Sequence, residues 1–211
     1  MEQDDGNVET ILHTAVREND ISLIKALLNQ KDVKISAQNK QGDTPLHIGA
    51  QNGCLEVVTL LLAKGADPTI ADFADGYTPL HWAAYNGHSE VVDLLVQLPI
   101  DLNVTEPHDK LTPLHLAALL GHTEVVEILI HAPKININAT NAYGNTPLHL
   151  AAGAGFVGVV DVLTRAKGIL LNARNQENMT PLQLAAMEGE SEVVRILINH
   201  PDIEIQNDDE A

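Results

Sequence analysis

The sequence predicts an all-α solenoid: six stacked helix-turn-helix units joined by β-hairpin-like fingers. Three observations lead there. The first is a fixed period. Thr-Pro-Leu-His stands at Thr44–His47, Thr78–His81, Thr112–His115 and Thr146–His149. Thr-Pro-Leu-Gln follows at Thr180–Gln183, and a worn copy, Thr-Ile-Leu-His, precedes them at Thr10–His13. The threonines at 10, 44, 78, 112, 146 and 180 are spaced 34 residues apart, a step that marks a small unit stacking on copies of itself. The second is helix punctuation inside each period, with Thr-Pro at the start and Gly near the middle. The third is composition. Hydrophobic residues make up 45% of the chain and aromatics only 3%, so the core must be built from Ala, Leu, Val and Ile. The units occupy residues 1–211 as a single domain, with a polar segment at 1–9 and an acidic tail at 203–211.

The fourth unit, Thr112 to Asn145, shows how each element is specified. Thr112 caps a helix and Pro113 suits its first position, where a missing N–H costs nothing. Leu114, Ala117 and Ala118 give helical spacing, and Gly121 ends the helix after about two turns as a left-handed residue. Thr123 is expected to cap a second helix, with Glu124 in its first turn favoured by the macrodipole. Val125, Val126, Ile128, Leu129 and Ile130 make that helix apolar on most sides, and Pro133 stops it. The stretch from Ile135 to Asn145 is extended and turn-rich. Neither helix is stable alone at this length, so neighbours must bury each other's faces. The pairs Ala83-Ala84, Ala117-Ala118, Ala151-Ala152 and Ala185-Ala186 allow close approach, and a bulkier side chain there should overpack the stack by about 1–3 kcal/mol.

The run Thr-Pro-Leu-His-x-Ala-Ala-x-x-Gly-His-x-Glu-Val-Val-x-x-Leu resembles the ankyrin repeat, and the resemblance covers essentially the whole chain. The family's usual period is one residue shorter. Repeat two keeps the family's Gly65-Ala66-Asp67 and places its extra residue around Ala71–Gly76, whereas repeats three, four and six carry Pro99, Pro133 and Pro201 and read as longer just after the second helix. Repeat one has Ile11 for Pro and Asn19 for Gly, and Asn tolerates the left-handed turn. Repeat five has Gly153, Gly155 and Gly158, and Val157 in place of a Ser or Thr cap. A helix glycine costs roughly 0.8–1 kcal/mol and a lost cap about 1, so repeat five is expected to be the soft joint. Repeat six keeps Val193, Val194, Ile196, Leu197 and Ile198 on its last helix, so its end needs a cover: the tail Ile203–Ala211, or further chain.

Charge narrows the partners. Twelve basic residues against twenty-nine acidic ones give a formal charge of −17, which argues against nucleic acid, whose phosphates require Lys and Arg, and against an anionic membrane surface. One cysteine, Cys54, forbids an intrachain disulfide. No apolar run approaches a membrane span, and Met1-Glu2-Gln3-Asp4-Asp5-Gly6 is unlike a signal peptide. These features fit a cytoplasmic protein, with the nucleus or delivery into a host cell as alternatives.

No catalytic residue, cofactor site or metal site is expected. His13, His47, His81, His115 and His149 recur once per repeat, which is not a coordination sphere. The resemblance implies that they hydrogen-bond within and between repeats, and His88 and His122 in the Gly-His turn read the same way. Gly153-Ala-Gly155-Phe-Val-Gly158 follows a helix pattern and is no dinucleotide fingerprint.

The resemblance also implies that a protein partner is held by finger tips and by the exposed side of the first helices. Those positions are Tyr77, Trp82, Tyr85 and Asn86 in repeat three, and Leu111, Leu116, Leu119 and Leu120 in repeat four. Tyr143 and Asn145 follow on the next finger, and Met179 on the one after. Tyr and Trp make interface hot spots. For Trp82 the alternative is packing against neighbouring repeats, as Leu116, Leu150 and Leu184 would. Asp43, Asp72, Asp75, Glu106 and Asp109 are expected to rim the patch, which suits a partner with an apolar anchor flanked by basic residues. The expected function is a monomeric, non-enzymatic protein-interaction module. The alternatives are the targeting or effector portion of a larger protein, an acidic inhibitor masking a basic segment, and an artificial scaffold, against which the irregular departures between repeats argue.

Overall fold

A computed structural model describes residues 9–204; the polar segment before Glu9 and the tail beyond Glu204 lie outside the described residues. The chain alternates two sets of helices. The first helices of the repeats are α1 (Ile11–Arg17), α3 (Pro45–Gln51), α5 (Pro79–Tyr85), α7 (Pro113–Leu119), α9 (Pro147–Gly153) and α11 (Pro181–Glu188). The second are α2 (Ile21–Leu28), α4 (Leu55–Ala63), α6 (Ser89–Val96), α8 (Thr123–His131), α10 (Val157–Thr164) and α12 (Ser191–Ile198). No strand occurs among the described residues. First helices pack on first helices and second on second, layer after layer.

Each first helix begins with a reciprocal cap. The threonine hydroxyl accepts the N–H three residues on, and the side chain at that third position accepts the threonine N–H. Histidine serves in the first five repeats and Gln183 in the last, where other helices use Glu or Gln. The imidazole does more than a carboxylate could. Its Nδ1 lies 2.8–2.9 Å from the threonine hydroxyl, which leaves Nε2–H free to donate to the next layer. His13, His47, His81, His115 and His149 reach the carbonyls of Asp43, Tyr77, Leu111, Asn145 and Met179 at 3.0–3.3 Å. This requires the neutral ring with the proton on Nε2, because Nδ1 faces donors and Nε2 faces an acceptor.

The second helices start differently from the sequence expectation. Thr123 is not a cap: it is the first residue of α8, the cap position is His122, and no side chain bonds there. The Thr123 hydroxyl turns back to the Gly121 carbonyl instead. Helices α4, α6, α10 and α12 also start without a side-chain cap, and only Asp20 caps a second helix with its side chain. The cap position is instead used between layers. The His88 and His122 rings donate to the carbonyls of Gln51 and Tyr85, each at 2.8 Å. A Cβ on Gly87 would lie 2.6 Å from the His122 ring, and one on Gly121 2.5 Å from Phe156, so glycine is required there for contact as well as for its positive φ. Val157 therefore loses no cap, and the weakness expected of repeat five reduces to Gly158.

The apolar layer follows the repeat. Val125, Val126 and Leu129, with their counterparts in neighbouring layers, are fully buried, each worth about 1.5–3 kcal/mol relative to exposure. The alanine pairs are buried except Ala186, which is exposed. The fingers carry their own anchors. Asn39, Asn141 and Asn175 each accept two N–H groups of the turn that follows. Asp72 and Glu106 take the same place one residue further from the next helix, bridging five positions instead of four. Repeat three therefore carries its extra residue in the finger, like repeat two, and not after its second helix: a carboxylate accepts the additional N–H that the longer turn offers.

Candidate partner-binding face

Residues from finger two and helix α5 converge on one cluster of rings. Tyr77 ends finger two, and Trp82 and Tyr85 stand one turn apart on α5. The Tyr77 and Trp82 rings meet edge to face at 5.2 Å between centroids, Trp82 and Tyr85 at 5.8 Å, and Tyr77 and Tyr85 at 6.2 Å. Tyr77 also stacks on the His81 ring at 5.3 Å. Such edge-to-face pairs contribute beyond burial alone.

Asp72 fixes the cluster. Its Oδ1 accepts the N–H groups of Asp75, Gly76 and Tyr77, and its Oδ2 accepts the Trp82 indole N–H at 2.8 Å. The finger and the helix thus share one carboxylate, which is only 5% exposed. Glu106, 3% exposed, holds the N–H groups of His108, Asp109 and Leu111. Neither rims the face, contrary to the sequence expectation: both are buried because they satisfy backbone donors. The exposed Asp75 and half-buried Asp43 and Asp109 remain near the surface. The field is felt by Tyr77, whose phenol is pushed up to about 12 by burial and then by the charges of Asp75 and Glu106.

The other sequence-expected residues take several environments. Tyr85 is 41% and Leu119 38% exposed, on adjacent layers. Asn86 is exposed, with its amide donating to the Trp82 carbonyl. Leu111 and Leu120 are half-buried. Leu116 is core, not surface, at 1% exposure, whereas Leu150, Leu184 and the larger Trp82 at the same repeat position are half-buried. Tyr143, on the next finger, stands out and donates its hydroxyl to Asp109. The Asn145 side chain accepts from Asn175, and Met179 lies half-buried one finger further on. Phe73, exposed at the tip of finger two, lies against Gly42 of the preceding finger.

Nothing in the described residues gathers three or more His, Cys, Asp or Glu side chains as a metal site. Burial pushes the Cys54 thiol up, away from a reactive thiolate. No described helix is long and apolar enough to cross a membrane.

Stacked capped helix pairs, tied layer to layer by imidazoles and presenting a row of fingers, define a helical repeat solenoid. The family model for ankyrin repeats matches residues 1–72, 70–141, 98–175 and 133–209, and the chain belongs to the ankyrin-repeat family. It is similar in fold to the crystal structure of EF0377, an ankyrin repeat protein, with a TM-score of 0.82 and 24% identity over 90% of this chain and 96% of that one. No curated protein was found to match the sequence. Ankyrin repeats are general protein-interaction modules, which is the class of function the family assigns.

Proposed function

We propose that this chain is a non-catalytic module that holds a protein partner on its finger and first-helix face, centred on Tyr77, Trp82, Tyr85 and Leu119. The observation that carries this reading is the ring cluster locked by Asp72. Aromatic side chains with two χ angles, already held by packing and one charge-assisted hydrogen bond, lose little entropy on binding. The acidic surroundings and the formal charge of −17 favour a partner segment with an apolar anchor flanked by Lys or Arg. The cytoplasm suits such a module, with its single thiol.

The test uses peptides selected from a random display library on the intact chain. Selected peptides should carry an apolar residue flanked by basic ones. They should lose at least tenfold in affinity for a Tyr85→Ala/Leu119→Ala variant whose unfolding transition is unchanged. Tyr77 is left in place because its ring packs on His81. Peptides that bind parent and variant equally would displace the site from this face. Affinity that collapses with salt whatever the apolar anchor would favour the acidic-inhibitor alternative.

A further inference from the structure

We propose that the row of fingers is built in two blocks, fingers one and two against fingers three to five, hinged where Gly76 meets Pro107. The inference stands whether or not the ring cluster is the docking face.

Neighbouring fingers are joined at two places. At the tip, the residue after each anchor donates its N–H to the preceding finger: Phe73 to the Gln41 carbonyl at 2.8 Å, Ala142 to Asp109 at 2.7 Å, and Gln176 to Tyr143 at 3.1 Å. At the base, the residue three before each anchor reaches the next hairpin. Ser36 accepts the Asp67 N–H. Asn103 donates to the Lys134 carbonyl and accepts the Asn136 N–H, Asn138 does so with Gly168 and Leu170, and Asn172 with Asp202 and Glu204.

Between fingers two and three both links are missing. The residue after the Glu106 anchor is Pro107, which has no N–H to give. Its ring instead fills the space beside Gly76, where a Cβ would lie 2.3 Å from the Pro107 Cδ, so the fingers touch without bonding. At the base, Thr69 stands in the asparagine position, and its hydroxyl turns to Asp67 of its own loop at 2.6 Å. Among the described residues no hydrogen bond joins hairpin 65–77 to hairpin 99–111. Behind the fingers the stack continues: α5 packs on α7 and α6 on α8, and His122 reaches Tyr85. The bond from His81 to the Leu111 carbonyl is the longest of its set, at 3.3 Å.

The joint therefore bends the fingers while the helices stay registered. Tyr77 and Leu111, the last residues of fingers two and three, lie on opposite sides of it. Opening the joint widens the space between them without unpacking the core.

Pulsed electron-spin distance measurements test this on the intact chain in a Cys54→Ser background. One labelled pair, Gln41→Cys with His108→Cys, crosses the joint. The other, His108→Cys with Glu177→Cys, spans two bonded joints. Both are two layers apart, about 20 Å at the usual helix spacing. The first pair should give a distribution at least twice as wide as the second. Pro107→Ala, which restores the N–H, and Thr69→Asn, which restores the amide, should together narrow the first and leave the second unchanged. Equal widths in the parent would overturn the hinge. So would a broad first pair that the combined restoration, folded by circular dichroism, fails to narrow.

Discussion

Acid should loosen this stack through its histidines, and His115 gives the cleanest case. Its ring is neutral because Nδ1 faces the Thr112 donors and Nε2–H donates to Asn145. Burial pushes it down to about 4 from an ordinary 6.5, with no charged group contributing. The folded state thus refuses a proton that the unfolded chain accepts. Stability is complete above pH 6.5, falls as pH drops toward 4, and levels off below. At about 1.4 kcal/mol per pH unit the full term is about 3 kcal/mol, and about 1.4 kcal/mol is gone by pH 5.5. His81 behaves alike, at about 4, and His47 and His149 are lowered by burial too. Asp43, raised by burial, opposes them, since its protonation favours the folded state. Gln183 supplies the control: it accepts the Thr180 N–H at 2.9 Å without titrating. His115→Gln should cost about 1 kcal/mol at pH 7.5 for the lost bond to the next layer. That deficit should close by pH 5.5, because the variant no longer resists a proton. Urea unfolding followed by circular dichroism at pH 7.5, 6.5 and 5.5, kept above the pI near 4.7, measures both. A deficit that stays constant across this range would refute the neutral-ring ladder.

Other expectations follow from the packing. Asp72→Asn leaves one acceptor oxygen for two sets of donors: with it on the finger N–H groups, the Trp82 indole N–H meets an amide donor. It should cost about 1.5–3 kcal/mol, much of it absent in a Trp82→Phe background, as a double-mutant cycle by thermal unfolding would show. Gly121→Ala meets both a left-handed φ and the Phe156 ring, whereas Gly189→Ala meets only the φ, with open space around it. The second should cost about 1–2 kcal/mol and the first clearly more, and equal costs in denaturant titration would contradict the contact. Helix α10, with Gly158 in its first turn, should exchange its amides severalfold faster than α8 in native-state hydrogen exchange.

Much of the fold was legible because its determinants are local and repeated. Thr-Pro-Leu-His specifies a cap, a first-turn proline and a buried leucine within four residues, and the left-handed Gly or Asn after each first helix is a backbone necessity. Asn19 adopts a φ of 54° where its counterparts are glycine. Second-helix starts were misread because a Ser or Thr beside an apolar run looks like a cap, whereas the preceding turn already orients the chain and the hydroxyl faces a carbonyl. Asp72 and Glu106 looked like surface acids because carboxylates usually are. Their alignment with Asn39, Asn141 and Asn175 was the available signal. The same alignment sets Thr69 against Asn103, Asn138 and Asn172, and Pro107 against residues that must donate an N–H. The ring cluster was half legible: position marked Tyr77 and Tyr85, but only the structure shows the carboxylate that holds Trp82.

The measurement closest to the central claim is the hydrogen-exchange footprint of a display-selected peptide on the parent chain. Protection should concentrate on residues 77–86 and 111–120, from the end of each finger through the helix behind it. Protection confined to α6 and α8, with those segments unchanged, would contradict the account.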